Sequence, residues 1–107
     1  MRFDAETRAR WRRHLMQRGL TLATILAELL AGKDKRAALD ALGAPDRPGM
    51  RPEERARAAL DQVEARRVLL DAGDDRFGRC DVCGADLGAA ALGELPWADR
   101  CAAHASA

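Results

Sequence analysis

FGRCDVCG at residues 77–84 and CAAH at residues 101–104 are the two stretches on which the reading of this chain turns. Each places two metal-ligating side chains either side of two intervening residues, and seventeen residues separate Cys83 from Cys101. A two-residue spacer lets one tight turn aim both side chains at a single ion while backbone N–H groups face the sulfurs. Gly84, directly after the second cysteine, supplies the open backbone conformation such a knuckle needs. Cys80, Cys83, Cys101 and His104 then form a closed tetrahedral shell, so the metal is expected to be structural. Three thiolates and an imidazole suit Zn2+ better than a hard cation. Asp99, or an open position, is the alternative to His104 as the fourth ligand. A redox CxxC is the rival reading of Cys80 and Cys83, but no thioredoxin-like strand–helix pattern surrounds them. Without metal, residues 74–107 are expected to lose their fold.

Upstream of this module the texture is helical. Asp4 is suited to cap a helix, with Glu6 near the positive end of its dipole. Trp11, Leu15, Arg18, Leu22, Ile25 and Leu29 follow at intervals of four and three, the seam of a helix that meets one partner helix. Arg18 is its polar interruption, and Leu26 and Leu30 widen the stripe. Gly32 is a natural stop or kink. Lys33–Leu42 reads as a short helix, with Asp34 as its cap and Gly43 closing it. Residues 43–52 hold three prolines and two glycines and must be a loop.

Pro52, Glu53 and Glu54 open the next helix, where Ala56, Leu60, Val63, Arg67 and Leu70 repeat the spacing up to Asp71 and Gly73. Two such helices predict a mainly α fold: an antiparallel, coiled-coil-like hairpin over residues 1–73, with its tip at about 43–52, followed by the zinc module at 74–107. A first helix of about 27 residues would be roughly 40 Å long, a protruding arm. Trp11 and Trp97 read as packing anchors and His14 as a surface residue.

The chain has 107 residues and a net charge of +1, which hides an asymmetry. Residues 1–36 carry nine Lys/Arg against four acids, and residues 71–107 carry three against seven. Anionic partners should therefore meet the front of the chain, and three thiolates around one Zn2+ make the metal module more acidic still. Direct nucleic-acid binding by that module is disfavoured. Three cysteines, two in a CxxC, without a recognisable signal peptide, suggest a reducing cytoplasm and a metal site; a monomer is expected. The run Leu20–Ala31 is too short to span a bilayer. Two histidines, no tyrosine, no glycine-rich phosphate loop and no nucleophile–base pair argue against an enzyme.

Phe77, Gly78, Cys80, Cys83, Gly84, Leu87, Gly88, Leu92, Pro96, Ala98, Asp99 and Cys101 together resemble the zinc finger of the DksA/TraR proteins, which bind bacterial RNA polymerase through its secondary channel. The resemblance covers about thirty residues, and a helical hairpin before the finger fits that family. It implies transcription regulation by a polymerase-binding protein, with acidic residues of a pattern like DPADRA at the hairpin tip. Here Asp46 and Arg47 match the second half of that pattern, Gly43 replaces the first acid, and Pro48 replaces the closing alanine. His104 stands where the family often has Cys. Asp46 is equally readable as a turn residue after Pro45. A zinc-stapled module for another protein partner, with no effect on transcription, is the competing function.

Overall fold

A computed structural model describes residues 1–105; the last two residues assigned to the zinc module, 106 and 107, lie outside the described part. Four helices follow in order: α1 (Ala5–Leu30), α2 (Arg36–Ala41), α3 (Pro52–Ala72) and α4 (Ala89–Glu94). Among the described residues there is no β-strand, only an isolated antiparallel bridge between Arg79 and Asp86. None of the described helices is long and apolar enough to cross a membrane.

The helix ends are set by local chemistry. Asp4 accepts a 2.7 Å hydrogen bond from the Thr7 N–H and caps α1. Pro52 occupies the first turn of α3, where its missing N–H costs nothing, with Glu53 and Glu54 beside it. Gly73 closes α3 at φ 66°, and the Asp74 N–H reaches back to the Leu69 carbonyl. That left-handed residue would be strained with any side chain. Asp34 lies one residue before the α2 cap, yet still accepts the Arg36 N–H at 3.1 Å.

Trp11, Leu15, Arg18, Leu22 and Ile25 are buried along α1, as their spacing predicts. Leu30 does not widen this stripe and is 65% exposed. On α3 the buried line is Ala56, Ala59, Val63, Arg66 and Leu70, together with Arg55. Leu60 and Arg67 lie to one side of it: Leu60 is half-buried, and Arg67 pairs at the surface with Glu64 and Asp71. A stepping of 3-4-3-4 fits the helix as well as 4-3-4-3 does, and the choice between them rotates the face by about one residue. Arg8 and Arg12, early in α1, bond the Leu70 carbonyl and the Asp71 carboxylate, late in α3. Gly19 faces Val63. The two helices therefore lie side by side with opposite chain directions.

The connection between them does not extend beyond their ends. Arg18 donates to the Leu42 carbonyl at 2.7 Å. Arg18 precedes the end of α1 by twelve residues, about 18 Å of helix, so the chain after Gly32 folds back along the pair. Arg55 holds the returning segment through the Pro45 carbonyl (3.0 Å) and the Asp40 carboxylate (2.9 Å). Leu39 is fully buried in the common core and Ala44 nearly so. The finger joins the same core: Phe77 and Leu92 are fully buried with Trp11 and Leu15, and the rings of Phe3, Trp11 and Phe77 pack together at centroid distances of 4.7–6.3 Å, Phe3 edge-on to the other two. Of residues 43–52, expected as the hairpin tip, Pro52 opens α3 and Ala44 and Pro45 lie against the body of the molecule, while residues 46–49 are exposed. The arm does not protrude alone, because burying Leu39 and Ala44 is worth more than leaving them in water.

Candidate metal centre

Two turns build the cluster. In the first, the Gly84 N–H bonds the Cys80 carbonyl at 2.9 Å and the Cys80 N–H bonds the Ala85 carbonyl at 2.8 Å, with Gly84 at φ 74°. In the second, the His104 N–H bonds the Cys101 carbonyl at 2.9 Å. The Asp81 N–H donates to the Asp99 carbonyl at 2.7 Å and ties one turn to the other.

This folding brings Cys80, Cys83, Cys101 and His104 together, with one ligand atom from each within 4.8 Å of all the others. Cys83 Sγ and Cys101 Sγ are 3.8 Å apart, and His104 Nδ1 lies 3.6 Å from Cys80 Sγ and 3.2 Å from Cys101 Sγ. A tetrahedral zinc with bonds of about 2.3 Å to sulfur and about 2.0 Å to nitrogen needs ligand separations of about 3.8 Å (S–S) and about 3.6 Å (S–N). The sulfur pair and the Cys80–His104 pair meet that requirement, and the Cys101–His104 pair is slightly closer. All three cysteines are free, and 3.8 Å is far beyond a disulfide bond. The residues present therefore fit a four-coordinate metal ion held through Nδ1 of His104. Asp99, the competing ligand, is engaged elsewhere: its carboxylate accepts from Gln62 Nε2 at 3.1 Å.

The electrostatics favour a cation. Burial pushes the Cys80 thiol up, but backbone N–H groups of Cys101, Cys83 and Val82 aimed at its sulfur outweigh this and hold it at about 6. At Cys83 the Ala85 N–H acts downward, yet lost hydration and the adjacent Cys80 and Cys101 sulfurs leave it raised. A divalent ion among the sulfurs converts that crowding into coordination.

The finger is bolted to the helices by side chains that sequence reasoning placed elsewhere or passed over. Arg66, 4% exposed, grips both oxygens of Asp81 at 2.8 and 3.0 Å, inside the first CxxC. Gln62 holds Asp99. Arg2 bonds the Asp86 carboxylate and the Phe77 carbonyl, each at 2.8 Å. Arg18, 6% exposed, lies 3.8 Å from the centre of the Trp97 ring, and burial depresses its pKa. The one signal for Arg18 was its place in the apolar spacing of α1; nothing local marks Arg66 or Gln62.

Asp46 and Arg47, the predicted tip residues, are not part of the Cys80–Cys83–Cys101–His104 cluster. They share a cleft of about 300 Å³ with Ala58, Gln62, Trp97 and Asp99. Asp46 is exposed and lies 3.7 Å from Arg55.

No family model matches this chain, and searches of curated proteins and of solved structures return no match either.

Proposed function

We propose that this chain is a zinc-stapled helical hairpin of the DksA/TraR type, which binds bacterial RNA polymerase and modulates transcription from the cytoplasm. The observation that carries this reading is the Cys80–Cys83–Cys101–His104 cluster, together with the roles of the other residues that carry the resemblance. Gly78, Gly84 and Gly88 all have positive φ, while Phe77, Leu92 and Pro96 are fully buried. Zinc here is a staple: four protein ligands leave no open position for substrate or water. Its work is to hold Asp81 and Asp99 where Arg66 and Gln62 meet them, which fixes the finger on α3. Co-purification of the wild type and Asp46→Asn with RNA polymerase core tests the reading. The wild type should co-purify, and absence of any association would remove the proposal.

A second reading is favoured by one observation. Asp46 and Arg47 sit beside Ala58 and Trp97, on the flank of the helices. A zinc-stapled module for a protein partner, without an effect on transcription, uses that surface as it stands. Polymerase binding with unchanged transcription of stringent-type promoters would select it.

A further inference from the structure

The segment between α1 and α3 has the anatomy of a strap. Its ends are glycines in left-handed conformations, Gly32 at φ 89° and Gly49 at φ 85°, with Gly43 at φ 64° between them. An added Cβ at any of the three would meet nothing within 4 Å, so no neighbouring group packs against these turns. Its helix, α2, is six residues long and has no side-chain cap from its own N-cap residue. Its apolar hold on the core is made by the buried Leu39 and Ala44, with Ala38 and Leu42 packed partly against the same core.

The rest of its attachment is polar: Lys33 and Lys35 pair with Glu28 of α1 at 3.8 and 3.4 Å, and two buried arginines hold the remainder. Arg55 takes the Pro45 and Ala44 carbonyls and the carboxylate of Asp40, whose side chain is 66% exposed. Arg18 takes the Leu42 carbonyl and is backed by the Trp97 ring. No carboxylate pairs with Arg18, and its Nε and Nη2 have no partner among the described residues. A buried cation satisfied by one peptide carbonyl and one ring is a weak bolt, because its desolvation is only partly repaid. Short elements with few apolar anchors open at lower free energy than the packed seam beneath them.

We propose that residues 31–51 are an autoinhibitory strap, latched by Arg18 and Arg55. It holds Asp46 and Arg47 beside Trp97 and releases them toward the far end of α1 and α3 when the partner binds. The proposal rests on the polymerase reading above, with polymerase core as that partner. Opening moves the two residues to where the resemblance expects a hairpin tip. The partner gains only by its differential affinity for the open state, so wild-type affinity is reduced by the fraction of molecules that are closed.

Native-state amide exchange on the metal-loaded protein tests the strap, and affinity for polymerase core tests the inhibition. In the wild type, amides of residues 36–44 should exchange at least 10-fold faster than those around Leu15 and Val63. Leu39→Ala should raise exchange in 36–44 by at least about 30-fold, leave the seam unchanged, and tighten binding to core several-fold. Asp40→Ala, at an exposed carboxylate, should act in the same direction by about 3-fold without disturbing the apolar core. Exchange of strap and seam in one concerted step overturns the strap. Equal binding by wild type and both variants overturns the inhibition and leaves the polymerase reading standing. Failure of all three proteins to bind removes that reading, and the autoinhibition with it.

Discussion

The Arg18 guanidinium stacks 3.8 Å from the centre of the Trp97 ring while donating to the Leu42 carbonyl, so one side chain of α1 joins the finger to the connection between the long helices. Three segments far apart in sequence meet at this residue. Arg18→Ala removes a charge-assisted hydrogen bond and a desolvated cation–π contact and leaves a void under the ring. The expected loss is about 2–4 kcal/mol by chemical denaturation. Arg18→Met keeps the volume and removes the buried charge, so it should recover most of that loss. Equal destabilisation by both substitutions would mean that packing is not what the site requires.

Metal analysis of the purified protein should give about one zinc per chain, and Cys80→Ser should lose most of it. Chelation should abolish the near-ultraviolet circular dichroism of Trp97 while most of the helical signal remains, because α1 and α3 bury their own seam. Structural zinc sites contribute apparent folding free energies of about 10–16 kcal/mol in small finger peptides. Near-stoichiometric zinc in the Cys80→Ser protein would contradict the ligand assignment.

Two glycines of the finger should respond differently to alanine. A Cβ on Gly78 would sit 2.8 Å from Leu92 Cδ1 and 3.2 Å from Arg2 Nη2, at φ 80°. A Cβ on Gly84 would meet nothing within 4 Å and suffers only its φ of 74°. Gly84→Ala is expected to cost about 1–2 kcal/mol, the penalty of a left-handed alanine. Gly78→Ala should cost clearly more, since the fully buried Leu92 must shift to admit the added Cβ. Thermal melts of the two zinc-loaded variants compare them directly.

Acid should destabilise the protein through its turn-forming aspartates. The Arg76 guanidinium and its backbone N–H hold Asp74 at about 2, and the Thr7 N–H lowers Asp4 in the same sense. A carboxylate depressed on folding contributes fully above its ordinary value of 3.8, and that contribution disappears as pH falls toward 2. Asp74→Asn keeps an acceptor for the Arg76 N–H but cannot titrate. Its urea midpoint should therefore fall less steeply between pH 4 and pH 2 than that of the wild type. Identical slopes would remove Asp74 from the account.

Much of the local structure was legible in the sequence. The intervals among Trp11, Leu15, Leu22 and Ile25 gave the buried face of α1, and Asp4, Pro52 and Gly73 gave three helix ends. The two CxxC-like spacings assembled the metal ligands. These features depend on neighbours within four residues, or on a tight turn whose geometry follows from its own backbone. The α3 face was displaced by one position, because Leu60 and Arg67 satisfy the helical period as well as Ala59 and Arg66 do. Only the requirement to meet Asp81 selects Arg66.

The sequence by itself therefore settled that there are two long amphipathic helices and a Cys3His cluster, since each follows from short-range spacing. The tertiary structure alone decided that residues 31–51 fold back and that Arg18 and Arg55 are buried beneath them. It likewise decided that Asp46 faces the flank of α3. Those outcomes rest on contacts between residues 10 to about 80 positions apart, where small packing and hydrogen-bond terms from many side chains are summed. No window of the sequence contains that sum.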